Sequence, residues 1–322
     1  MKRSFTGFAL ALLAVLALVA AGCGKDKKKD NGGGGGGAPS AQTITKNPAN
    51  ANKSITVGSK DFTEQLILGE IYSQAFQAAG YKVKKQLNLG SEVVAFKALK
   101  QGAVDAYPEY TGTVLTSFYG VKVTDVPKDA NQAYLEAKTK LAGDSITALP
   151  QAPFDNTYRI GMLKKTYDKL GIKTTSELKG KSQDLSIAGQ PECRQRPDCL
   201  LGVEKTYGLK FKKFVATQSR YEALDTGAAD LVFVYTTDGP LSTGKYATLE
   251  DDKKLFPPYH ITFMVKNDVL QKLGPDAPNI VQGIQRGMTE KVMQELNSRV
   301  DLDKQKPAKV AGDYLREAGY VK

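Results

Sequence analysis

Short apolar runs alternate with amphipathic ones along residues 53–322. In Ser54 to Gly58 the apolar side chains fall at every second position, the period of a half-buried strand. From Glu64 to Ala79 the spacing changes. Leu66, Ile67, Ile71, Ala75 and Ala78 share one helical face, and Gly80 is the stop. Tyr81 to Leu89 reads as a second strand, and Glu92 to Lys100 as a second helix ending at Gly102. Strand, helix and strand in turn predict an α/β fold with crossover connections.

An internal echo organises the rest. Ala98-Leu99-Lys100-Gln101-Gly102-Ala103-Val104-Asp105 is matched 125 residues later by Ala223-Leu224-Asp225-Thr226-Gly227-Ala228-Ala229-Asp230. Each is a helix end, a glycine stop and the entry to a strand, which predicts two similar lobes facing each other. In both, the strand delivers tyrosines to its C-terminal edge, where open α/β sheets hold ligands. After a strand-like Ile261 to Lys266, helices are expected over 268–273, 279–298 and 307–318. This tail returns to the first lobe. The expected division is 53–155 with 261–322 as lobe 1 and 156–260 as lobe 2, the chain crossing the hinge twice.

The beginning of the chain obeys none of these periods. Lys2 and Arg3 precede an Ala/Leu/Val run from Phe8 to Ala20, closed by Ala20-Ala21-Gly22 before Cys23. Residues 1–22 therefore read as a signal peptide, too short and wrongly flanked for a stable span. The cysteine at its end resembles the lipidated cysteine of bacterial lipoproteins, with Ala20 where Leu is usual; a free Cys23 is the alternative. Residues 23–52, rich in Lys, Gly, Pro and Asn, bury too little apolar area to offset ordering entropy, so a flexible tether is expected. At Gly-rich scaling it would reach ~30 Å from a membrane.

Charge and cysteines refine this picture. The net charge is +11, of which +5 sits in residues 1–52, leaving +6 spread over 270 residues with acids and bases interspersed. That is no nucleic-acid footprint. Apart from Cys23 the cysteines are Cys193 and Cys199, a close pair that reads as a disulfide in an exported protein, with two free thiols as the alternative. One histidine, His260, and no second close cysteine pair argue against a metal site, and no cofactor is expected.

Four blocks carry a resemblance. They are Val57-Gly58-Ser59-Lys60-Asp61-Phe62-Thr63-Glu64-Gln65; Asp105-Ala106-Tyr107-Pro108-Glu109-Tyr110-Thr111-Gly112-Thr113; Thr237-Asp238-Gly239; and Leu249-Glu250-Asp251-Asp252-Lys253 leading to Phe256-Pro257-Pro258-Tyr259. In this order they resemble the osmoprotectant-binding proteins of ABC importers, the glycine betaine/choline group, over about residues 55–318. The resemblance implies a two-lobed, periplasmic-binding-protein-like fold of type II. It also implies a box of aromatic rings around a quaternary ammonium, which has no N–H to donate and is gripped by ring faces instead. The matching positions are Tyr110, Tyr158, Tyr235 and Tyr259. For a carboxylate tail they are Lys60, Thr113 and Arg196, the last inside the Cys193–Cys199 loop. Asn156 falls beside the ammonium, where an amide helps less than a carboxylate and counts against choline. Ser59 and Gln65 read as capping and helix-facing residues.

The implied ligand is glycine betaine, with proline betaine, carnitine and choline in the same class. The implied setting is a lipid-anchored monomer on the outer face of the membrane, delivering solute to permease and ATPase subunits on other chains. An amino-acid-binding lipoprotein is the nearest rival reading. An exported hydrolase is more remote: His260 has no nucleophile elbow beside it, although Asp251-Asp252 could form an acid pair.

Overall fold

The computed structural model describes residues 43–322. The signal peptide, Cys23 and most of the expected tether lie outside the described residues. In chain order the strands are β1 Ser54–Gly58, β2 Lys82–Gln86, β3 Ala106–Tyr110, β4 Ile146–Ala148, β5 Tyr158–Leu163, β6 Ser186–Gly189, β7 Lys213–Ala216, β8 Leu231–Tyr235, β9 Tyr246–Thr248 and β10 Ile261–Lys266. They form two five-stranded mixed sheets of the same plan, β2-β1-β3-β10-β4 and β7-β6-β8-β5-β9. The chain passes between the sheets twice, once from β4 to β5 and once from β9 to β10, the topology of a type II binding-protein fold.

Each sheet is buried on both faces, which is why its central strands carry near-continuous apolar runs. In β10, Phe263 faces Ile71, Tyr72 and Phe76 of the Thr63–Ala78 helix, while Met264 faces Leu99, Tyr107 and Leu115 on the other side. In the second sheet Phe233 and Val232 of β8 divide between two cores in the same way.

The internal echo is a shared device. Gly102 and Gly227 end their helices at φ +75° and +73°, a left-handed turn that suits glycine. Asp105 then accepts the Thr56 N–H at 2.7 Å, and Asp230 accepts the Ser186 N–H at 2.8 Å. In both lobes an aspartate ties the entry of the central strand to the start of its parallel neighbour. Tyr110 and Tyr235 end the two strands so positioned.

Two expectations need correction. The tether was expected to run to residue 52, yet the chain is already folded at Ile44, whose N–H donates to Tyr320 O at 2.7 Å. Asn50 is fully buried and donates to Ala79 O and Asp276 Oδ2. Composition misled here because this segment is held by polar contacts rather than apolar area. The helix expected over 279–298 is two, Asp276–Gln285 and Glu290–Asp301. Thr289 opens the second by accepting the Val292 N–H, a side-chain cap that competes with continuing the first helix.

The Glu290–Asp301 helix packs its apolar residues Met293 and Leu296 in the first lobe. Its polar edge reaches the second: Gln294 donates to Thr236 O at 2.6 Å and Asn297 to Thr237 O at 2.8 Å. Gly239 lies so close that a Cβ there would sit 2.8 Å from Ser298 N. The lobes thus meet along this helix as well as at the two crossovers.

Candidate functional site

A cavity of about 580 Å³ opens between the lobes, and all eight residues singled out in the sequence line it: Lys60, Tyr110, Thr113, Asn156, Tyr158, Arg196, Tyr235 and Tyr259. Two tyrosines come from each side. Tyr110 ends β3, and Tyr259 precedes β10 on the second crossover, its ring seated against Gly112. Tyr158 opens β5 opposite Tyr235 at the end of β8, as the antiparallel register requires. Their rings stack with centroids 4.5 Å apart, and their hydroxyls lie 2.8 Å apart.

Both crossovers are cross-tied behind this wall. Asp155 accepts the Tyr259 N–H at 2.6 Å, and Thr157 donates its hydroxyl to Pro257 O at 2.8 Å. His260 sits here too, with Nδ1 3.0 Å from Ala152 O. Asp251 is spent on its own loop, accepting the Leu255 and Phe256 N–H groups and the Tyr207 hydroxyl, and Asp252 accepts the Ser176 N–H. Neither aspartate lines the cavity.

The basic residues are less free than the sequence suggested. The Lys60 ammonium is buried and paired with Glu109 at 2.5 Å, 4.6 Å from the centre of the Tyr110 ring. Gln65 helps fix it by accepting the Lys60 N–H, and Ser59 caps no helix but accepts the Asn88 N–H at 3.1 Å. Arg196 makes a two-point contact with Asp198, Nε at 2.8 Å and one terminal nitrogen at 2.5 Å. That pairing holds the guanidinium charged well above its ordinary range. Among the described residues its other terminal N–H groups have no hydrogen-bond partner. The guanidinium also lies 5.6 Å from the Tyr158 ring.

Cys193 and Cys199 are bonded, Cα to Cα 5.2 Å, closing the loop that carries Arg196. Replacing both with serine should cost about 2 kcal/mol of stability for a loop this short. It should also loosen Arg196, and any ligand contact of that residue should weaken with it. Chemical denaturation and calorimetry on the variant check the two effects separately.

The matched family model is that of OpuAC, the substrate binding domain of ABC-type glycine betaine transport systems, and it spans residues 53–317. The chain belongs to this family. A glycine-betaine-binding protein of Pseudomonas aeruginosa is 34% identical over 278 residues, 82% of this chain and 88% of that protein. The ergothioneine transport permease/ergothioneine binding protein EgtU of Helicobacter pylori is 28% identical over 278 residues, 84% of this chain and 49% of that protein. A solved structure of a glycine betaine/carnitine/choline ABC transporter superposes with a TM-score of 0.77 at 26% identity, covering 83% of this chain and 99% of that one. As a member of the OpuAC family the chain is a substrate-binding protein of an ABC transport system, acting outside the cytoplasm; family members and relatives are not enzymes.

Within this OpuAC-family cavity, several lining residues escaped the sequence reading. Arg220 lies 5.1 Å from the Tyr235 ring and is paired with Asp238 at 3.3 Å. Phe62 lies parallel to Tyr110 at 6.2 Å. Glu64, in the first turn of its helix, is buried and accepts the Tyr110 hydroxyl at 2.7 Å and the Asn156 amide at 3.0 Å. Phe62 and Glu64 stand inside the Val57–Gln65 block, and nothing in their spacing marks them as cavity residues. Arg220 was hidden in an ordinary-looking helix start.

Proposed function

We propose that this protein is the lipid-anchored external receptor of an ABC importer and that its cavity takes a zwitterionic quaternary-ammonium solute, glycine betaine first. The observation that carries this reading is the meeting of four tyrosines in one cavity beside Arg196: Tyr110 from the first sheet, Tyr158 and Tyr235 from the second, and Tyr259 from the crossover between them. A trimethylammonium head offers no donor, so ring faces supply its grip, ~2 kcal/mol or more for each desolvated ring. Arg196 and Thr113 take the carboxylate end, while the Lys60 charge, expected there from the sequence, is taken up by Glu109. The lobes close on the ligand because the head then touches tyrosines of both at once. The closed form docks on a permease coupled to an ATPase, both on other chains. A lipid on Cys23 keeps the monomeric receptor at the outer face of the membrane.

Calorimetric titration with glycine betaine, proline betaine, carnitine, ergothioneine, choline and unmethylated glycine tests the reading. Betaines are expected to bind, choline more weakly and glycine not at all. Heat from glycine or another α-amino acid, with none from betaines, would replace this reading with the amino-acid one. Choline ahead of every betaine would keep the tyrosine box and remove the carboxylate roles of Arg196 and Thr113.

A further inference from the structure

Charge pairing around the cavity is lopsided. Its three basic residues each have a protein carboxylate: Lys60 with Glu109, Arg196 with Asp198, Arg220 with Asp238. Among the described residues, the lining carboxylates without a salt bridge are Glu64, Glu92 and Asp301, and of these only Glu64 is buried. Every partner of Glu64 is a neutral donor. Tyr110 and Asn156 bond one oxygen, Asn297 bonds the other at 3.0 Å, and Thr237 adds a further side-chain contact. Buried carboxylates are ordinarily paired with a cation or kept protonated.

We infer that Glu64 is the counter-charge for the ligand's cationic head, and so the residue that selects a permanent cation over an uncharged group of the same shape. The inference rests on the quaternary-ammonium reading above. Glu64 supplies, from the first helix, the negative charge that Asn156 lacks, one hydrogen bond behind the Tyr110 ring. Neutral donors alone hold the carboxylate in place in the absence of ligand; a trimethylammonium between the tyrosines then provides the missing positive charge across a low-dielectric gap.

Two consequences distinguish this from a merely structural role. Burial lifts the Glu64 carboxyl above its ordinary range, its hydrogen bonds pulling part of the way back. Binding a cation favours the ionised form, so ligand uptake releases protons and affinity rises with pH through that raised value. The other charged or titratable groups facing Glu64 are Tyr110 at the end of β3, Lys60 with Glu109 beyond that ring, Asp301 on the Glu290–Asp301 helix, and the Arg220–Asp238 pair of the second lobe. The second consequence concerns the ligand-free protein. A carboxyl whose folded pKa is raised stabilises the fold below its unfolded pKa and loses that contribution as pH rises through the folded value. Glu64→Gln removes that pH-dependent loss, so the melting temperature of the ligand-free variant should fall less than that of the wild type as pH rises through the raised value.

The test is calorimetry on the full chain in detergent, wild type against Glu64→Gln and Glu64→Asp. Its two ligands are glycine betaine and 3,3-dimethylbutyrate, in which carbon replaces the quaternary nitrogen. Wild type is expected to prefer glycine betaine, and Glu64→Gln to cut that preference by about tenfold, with the isostere's affinity kept or improved. The variant should also lose the pH dependence, and Glu64→Asp should restore part of the preference. Equal losses for both ligands, or an unchanged preference, would overturn the counter-charge role and leave the cavity reading intact. Failure of wild type to bind any betaine would overturn the cavity reading, and this inference with it.

Discussion

Replacing Tyr235 by alanine is expected to weaken glycine betaine binding about 100-fold. One lost ring face accounts for ~2 kcal/mol of that. The remainder comes from what Tyr235 holds. Its ring stacks on Tyr158 at 4.5 Å, its hydroxyl meets that of Tyr158, and Arg220 lies over it at 5.1 Å. Removing the ring frees Tyr158 to turn and lets Arg220 move into the gap, where its charge repels the ligand's cation. Tyr235→Phe keeps the ring and loses only the hydroxyl contact, so it should cost about 1 kcal/mol, or fivefold. Calorimetry on the two variants separates ring from hydroxyl. Similar large losses from both would mean that Tyr235 acts through its hydroxyl and not as a face for the cation.

The second large effect is expected at a residue that touches no ligand. In Gly112→Ala the new Cβ would lie 2.6 Å from Tyr259 Cε1, 2.7 Å from Cδ1 and 2.9 Å from Pro258 O. The ring can swing away, but the carbonyl belongs to a backbone fixed by two prolines and by the Asp155 contact to Tyr259 N. Overpacking of this kind costs about 2–3 kcal/mol of stability, and the displaced ring, a cavity wall, carries the effect into affinity. A drop of roughly 100-fold in affinity together with a melting temperature lowered by several degrees is the expected result. Unchanged affinity would show that Tyr259 does not need its present position to bind.

Much of this architecture was legible in the chain. The change of period at Glu64 and the glycine stops at Gly80, Gly102 and Gly227 reflect local backbone chemistry, which a sequence displays directly. The echo between 98–105 and 223–230 was legible for the same reason, and it foretold two similar lobes whose strands carry tyrosines to their C-terminal edges. What stayed hidden depends on partners far apart in the chain. Lys60 is held by Glu109, 49 positions on, and Glu64 by Asn297, 233 positions on. No local pattern predicts such pairs. The segment 43–52 misled because a buried asparagine, Asn50, looks like a linker residue until its acceptors, Ala79 O and Asp276, are in view. Helix 279–298 misled because its apolar period continues across Gly287 and Thr289, and only the cap at Thr289 shows the break.

The central claim is that the tyrosines of both lobes surround the cationic head of one ligand, and a crystal structure of the complex with glycine betaine tests it most directly. The account predicts the trimethylammonium group in van der Waals contact with Tyr110, Tyr158, Tyr235 and Tyr259, on the Glu64 side of the cavity, with the carboxylate on Arg196 and Thr113. A ligand with its head away from the tyrosines, or held by one lobe alone, would contradict it.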